Sequence, residues 1–162
     1  MAGRIVYPAG QSPQLPLADG RSVAITSLLD ISGPMRFGDY VWNAKDVPAG
    51  RIWVRVDLAR QTISVFRAGH EIGSAVILYG TTNHPTPTGD FQIIQMAKQY
   101  RSRSYDAEMP YMLRLTADGV AIHASAVEEG FASHGCIGVP LAFARLLFEQ
   151  AQRGDLVVIL PA

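Results

Sequence analysis

From Arg51 onward, apolar residues recur at every second position. Ile52, Val54 and Val56 alternate with Trp53, Arg55 and Asp57. Side chains two apart share a face only on an extended chain, so this spacing predicts a strand with one side on the core. Ala59-Arg60-Gln61 interrupts the pattern, residues 62–66 resume it, and Ala68-Gly69 turns the chain into a third run over residues 71–79. Three such runs joined by short turns predict a meander. Residues 91–94, 111–115, 120–123 and 156–160 read as further strands, with Asp118-Gly119 as a hairpin turn between the middle two. One segment has a helical period instead. Pro140 can open a first turn, Phe143, Leu146, Leu147 and Ala151 fall on one face, and Gly154 is expected to stop the helix. The chain is therefore expected to be mostly β, with one main helix on the C-terminal side that props the preceding segment against the sheet.

Residues 1–50 differ in texture from the rest. Pro8, Gly10, Pro13, Pro16, Gly20, Gly33, Pro34, Gly38, Pro48 and Gly50 break up short apolar pieces. Only residues 23–31 are long enough to form an element, and its type is open. The expected organisation is an irregular N-terminal extension over residues 1–50, anchored by Tyr40, Trp42 and Trp53, packed on a main domain over residues 51–162. A length of 162 residues with 48% hydrophobic content fits a single core.

Lys plus Arg equals Asp plus Glu at 14 each, so no net field favours nucleic acid or an anionic membrane. No apolar run approaches the ~20 residues a membrane span needs. Met1-Ala2-Gly3-Arg4 lacks the basic segment and apolar core of an export signal. Composition leaves two options: a cytoplasmic chain, or one whose targeting segment is absent from this sequence.

Chemistry concentrates at Ser133-His134-Gly135-Cys136. Cys136 is the only cysteine, so it has no disulfide partner within the chain. His134 lies two positions before it, and His123 thirteen before it at the end of an apolar run. A thiol attacks as the thiolate, and an imidazole titrating near neutrality can take the proton and return it to a leaving group. If residues 133–137 are extended, His134 and Cys136 point to one side. Gly135 lets an acyl group approach the backbone, and the amides of Gly135 and Cys136 are candidates to hold an oxyanion. Two other readings compete. A lone cysteine often serves as a small buried hydrophobe. Zinc is the weaker one, because His123, His134 and Cys136 supply three ligands where a structural site needs four. No metal or other cofactor is expected.

Two loops flank this region in sequence. Residues 80–90, GTTNHPTPTGD, are too rich in Thr, Pro and Gly to form an element. Stiffened by prolines and lined with hydroxyls, they suit an extended peptide, and His84 within them is expected to be an exposed loop residue. Residues 97–109 lack an apolar period and are expected to form a long loop, a candidate lid over one face.

Pro87-Thr88-Gly89-Asp90-Phe91, Ile122-His123 and Ser133-His134-Gly135-Cys136-Ile137, in this order, resemble the catalytic domain of bacterial L,D-transpeptidases, the YkuD-like domain. The resemblance covers residues 52–160. It implies a β-sandwich-like domain with a mixed sheet, acting on peptidoglycan stem peptides in the periplasm or cell envelope. Cys136 would attack the carbonyl of an L-centre next to a terminal D-residue, expel that residue and carry the acyl group as a thioester to an acceptor amine. His123 would be general base and acid, oriented by the carbonyl of Ala124 or its neighbour. Ser133, His134 and Gly135 would shape the oxyanion and substrate pocket, with Tyr79, Thr88 and Arg114 as further substrate contacts. Carbapenems would be covalent inhibitors. Two positions depart from the family pattern. Gly138 stands where many members have arginine or asparagine, which would shift carboxylate recognition to Arg114, Arg103 or Arg101, or abolish it. Ala124 stands where glycine is frequent.

Other functions remain compatible with these residues. The same site could hydrolyse its acyl-enzyme, as a carboxypeptidase or endopeptidase does. From different classes come a catalytically silent wall-binding module, for which Gly138 would be a sign of decay, and a cytoplasmic thiol sensor.

Overall fold

The computed structural model describes residues 2–103, 107–128 and 132–162. Five short strands come first: β1 (Gly3–Val6), β2 (Gln14–Pro16), β3 (Ser22–Ala24), β4 (Ser27–Asp30) and β5 (Tyr40–Trp42). The alternating region then forms β6 (Ile52–Asp57), β7 (Thr62–Arg67) and β8 (His70–Val76), paired antiparallel in succession. Burial along β6 follows the expected period, with Ile52, Val54 and Val56 inside and their neighbours half-buried. After β9 (Gly89–Gln92), residues 95–114 hold β10 (Gln95–Ala97), β11 (Arg101–Ser102), β12 (Ala107–Glu108) and β13 (Met112–Arg114). The expected long loop over 97–109 thus contains strand pairing between β11 and β12. Residues 104–106 of that stretch lie outside the described residues.

The remaining elements are β14 (Ala121–Ala124), β15 (Ile137–Val139), α1 (Leu141–Gln150) and β16 (Leu156–Leu160). Among the described residues, the large sheet runs in the order β1, β4, β8, β7, β6, β16, β9, with β5 also on β8. It is mixed, because β16 lies parallel to β6 and antiparallel to β9. A second sheet, in the order β10, β13, β14, β15, ends in the parallel pair β14 and β15. Among the described residues, the fold is mostly β with one helix, as the sequence pattern predicts.

The helix joins the two sheets. Phe143, Ala144 and Leu147 are buried, and Phe143 meets Trp42 edge-on with ring centroids 5.7 Å apart. Full burial of a side chain of this size contributes about 1.5–3 kcal/mol. Pro140 precedes the first turn, where its missing N–H costs nothing. The helix ends before Gly154: Ala151 already has extended backbone, while Gly154, at φ +91°, turns the chain into β16. Buried Asp155 stabilises that turn by accepting from the Gln152 amide at 2.7 Å and pairing with Arg51 at 2.8 Å.

Candidate active site

β14 and β15 set the register of the site. Ile122 pairs with Ile137, and His123 with Gly138. Both apolar partners are buried on the core side, which turns His123 outward, together with Gly138 and Ser125. Cys136 lies two residues before Gly138 and joins the same face from the loop that feeds β15. A cavity of about 500 Å³ opens there, lined by His123, Ser125, Ser133, His134, Cys136 and Gly138 among others, with Ala107 and Met109 also in its lining. Among the described residues, the lining contains no lysine or arginine.

The imidazole of His123 is fixed by its neighbour's backbone. Its Nδ1 lies 2.8 Å from the Ala124 carbonyl oxygen. A carbonyl only accepts, so Nδ1 carries the proton and Nε2 of the neutral ring has a free lone pair. Burial holds the His123 pKa below its ordinary value, opposed in part by that same hydrogen bond. Burial pushes the Cys136 thiol up, the Ala121 backbone amide draws it down, and the charge of Asp118 raises it. In keeping with a protonated thiol, Sγ donates to the Gly119 carbonyl at 3.7 Å.

The cysteine loop is not the strand that would align His134 with Cys136. Residues 134–136 bend, Gly135 sits at φ +112°, and pairing begins only at Ile137. His134 still reaches the cavity, but its ring packs edge-on against His84 at 4.9 Å. The Ser133 hydroxyl binds within the loop: it donates to the Cys136 carbonyl and accepts from the Gly135 amide at 3.1 Å. The Gly135 amide, one of the two expected to hold an oxyanion, is thereby engaged within the loop.

Three expected substrate contacts lie elsewhere. Arg114 spends its guanidinium on the Thr116 carbonyl (3.0 Å), the Ala117 carbonyl (2.7 Å) and Gln95 (3.1 Å), so it braces the turn below Cys136 and does not line the cavity. Tyr79 and Thr88 line a neighbouring hollow with Thr81, Thr82 and Pro85, and Tyr79 meets the site through its carbonyl, which accepts from the Ser133 amide at 3.0 Å. Arg101 faces a separate hollow with Lys98, Tyr100 and Tyr111, and lies 3.8 Å from Glu108. Among the described residues, no three His, Cys, Asp or Glu side chains gather to hold a metal ion.

Two residues enter that the sequence did not single out. Ser125 packs over Gly138: a Cβ built on that glycine would lie 2.2 Å from Ser125 Oγ and 3.4 Å from the Leu78 Cβ. The space a longer side chain would occupy is thus filled from the adjacent strand. Among the described residues, Ser125 Oγ is buried with no hydrogen-bond partner. Thr86 is the second; it sat unnoticed inside the Thr-Pro loop, because only the fold brings it beneath Gly135.

Comparison with known proteins points to one family. The model of the YkuD family, the L,D-transpeptidase catalytic domain, matches residues 51–159. An L,D-transpeptidase from Stackebrandtia nassauensis is similar in structure, with a TM-score of 0.64 and 25% identity over 75% of this chain and 58% of that one. The L,D-transpeptidase from Mycobacterium smegmatis gives 0.63 and 20% over 68% of this chain and 59% of that one. L,D-transpeptidase 3 from Mycobacterium tuberculosis, in complex with a faropenem-derived adduct, gives 0.61 and 19% over 68% and 60%. No curated protein matches the chain. The chain thus spans under two thirds of the length of these structures. With the family model covering 109 of the 162 residues, and Cys136 and His123 on one cavity, the chain belongs to the L,D-transpeptidase catalytic domain family.

Proposed function

We propose that the chain is a cysteine acyltransferase of the L,D-transpeptidase type, acting on peptidoglycan stem peptides in the cell envelope. The observation that carries this reading is the placement of Cys136 and His123 on one cavity wall, with Nδ1 of His123 tied to the Ala124 carbonyl. In the first half-reaction the Cys136 proton passes to His123 Nε2 as Sγ attacks the carbonyl carbon of an L-centre. The C–N bond to the terminal D-residue breaks, and the leaving amine takes the proton from His123. In the second half the acceptor amine attacks the thioester carbon, gives its proton to Nε2 and forms the new amide, and the thiol is restored. A covalent thioester splits one difficult amide exchange into two easier ones.

Among the described residues, the arginines named as substitutes for the side chain missing at Gly138 do not line the cavity, which supports a reading in which shape and neutral polar groups hold the acyl segment. Intact mass spectrometry after incubation with a carbapenem tests the reading. One adduct per chain, mapped to Cys136 and absent from Cys136→Ala, is expected, together with turnover of a tetrapeptide donor. Absence of both acylation and turnover overturns it. Product analysis with and without an acceptor amine separates transfer from hydrolysis.

A further inference from the structure

Beneath the cysteine loop lies a buried hydroxyl, 49 positions away in sequence from the residue it holds. Thr86 is 7% exposed. Its Oγ1 accepts from the Gly80 amide at 2.8 Å and donates to the Gly135 carbonyl at 2.9 Å. Both of its hydrogen-bonding roles are used, and both run to backbone rather than to solvent. The fit around it leaves little latitude. A Cβ on Gly80 would lie 2.0 Å from the His84 carbonyl oxygen, and one on Gly135 would lie 3.4 Å from that of Pro85.

The Gly135 carbonyl and the Cys136 amide belong to one peptide plane, and no peptide bond among the described residues is cis. In a trans peptide the C=O and N–H point in opposite directions. Holding the carbonyl down onto buried Thr86 therefore directs the Cys136 N–H away from Thr86, and Cys136 lines the cavity while Thr86 lines the neighbouring hollow. The other loop amide, that of Gly135, is already held by Ser133. Gly135 at φ +112° has the backbone freedom to turn this plane, so an external restraint is needed to fix it.

We infer that Thr86 is a positioning residue for the oxyanion site: its hydrogen bond to the Gly135 carbonyl aims the Cys136 amide at the oxygen that becomes negative as the thioester forms. Thr86 touches no reacting atom. The inference rests on the acyl-enzyme reading above and extends it to a residue outside the cysteine motif.

The test compares two reactions of the same sulfur. Alkylation by iodoacetamide needs a nucleophilic thiol and no oxyanion site, whereas acylation by a carbapenem needs both. Removing one oxyanion donor outright slows acyl chemistry by about 10²–10³-fold, so misaiming one is expected to cost about tenfold or more. Thr86→Val, which keeps the shape and loses the hydroxyl, is expected to show that loss in the second-order rate of carbapenem acylation. Its alkylation rate stays within about twofold of the parent, and Thr86→Ser recovers most of the acylation rate. Thr86→Ala carries the same comparison if the valine variant is not recovered folded. Acylation of Thr86→Val at the parent rate overturns the inference. So does a parallel fall of both reactions, which would mean general disorder of the loop, and so does a serine variant as slow as the valine one. Failure of the parent chain to be acylated while it is still alkylated at Cys136 would instead sink the acyl-enzyme reading itself.

Discussion

At the scale of single residues, the resting site holds two neutral partners. Burial is the leading cause on both sides, lowering His123 and raising Cys136. Alkylation of Cys136 by iodoacetamide is therefore expected to climb with pH through and beyond the ordinary thiol range. A reactive plateau between pH ~5 and ~7, as a thiolate–imidazolium pair gives, would show the neutral assignment to be wrong. His123→Ala is expected to lower acyl transfer by about 10²–10⁴-fold and to leave alkylation at alkaline pH intact. The same reading by residue explains Gly138. Gly138→Asn forces a Cβ against Ser125 and is expected to cost about 1–3 kcal/mol by urea denaturation. Because the clash is with the Ser125 Oγ and Cβ, Ser125→Gly is expected to recover part of that loss, so the double variant is less destabilised than the sum of the singles. Strict additivity would mean that the two residues do not share the space.

Among elements, what the sequence discloses depends on length. The strands β6, β7 and β8 run for six or seven residues, long enough for apolar alternation to be visible. α1 shows its period through Phe143 and Leu147. By contrast β2, β3 and β5 span three residues each, and β11 and β12 two, too short for any period to emerge among prolines and glycines. β2 pairs locally with β3 and β11 with β12, whereas β5 depends on β8, a partner far off in sequence. In the candidate site, Cys136 and His123 stood out in the sequence as candidates, while an orienting carbonyl at Ala124 or its neighbour was only what the family resemblance implied. The bend at Gly135 and the burial of Thr86 were not legible, since both depend on how the 80–88 loop packs below. β5 shows the same dependence. Its Trp42 lies on Gly73 of β8, where an added Cβ would come within 2.3 Å of the indole and 3.2 Å of Phe143. Gly73→Ala is accordingly expected to destabilise the fold by about 1–3 kcal/mol and to shift the emission of Trp42 to the red, read in a Trp53→Phe background. Unchanged emission would mean that the indole does not depend on that contact.

For the whole molecule, residues 1–50 and the body are tied by polar groups as well as by aromatics. Arg4 donates to Ser27 Oγ at 3.0 Å, to the Asn43 carbonyl at 2.8 Å and to the Glu71 carbonyl, while the buried Glu71 carboxylate accepts from the Leu29 amide at 2.9 Å. His70 Nδ1 lies 2.7 Å from Ser27 Oγ, and its pKa is held down by burial and then by the charge of Arg4. His70 and His123 thus titrate below the ordinary 6.5 when folded. As pH falls through 6.5 the unfolded chain takes up these protons first, so each contribution is complete above that pH and is lost on acidification towards the folded values. Cys136 has the opposite sign. Folding holds it above 9.0, the unfolded thiol ionises first as pH rises, and its contribution is complete below 9.0 and lost above. Thermal melts are expected to peak at about pH 7–8 and to decline on both sides. In Cys136→Ala the alkaline decline is expected to become shallower, and in His70→Gln the acid decline. An alkaline limb unchanged by loss of the thiol, or melts that rise on acidification from neutrality, would contradict the protonation states on which the mechanism proposed for Cys136 and His123 depends.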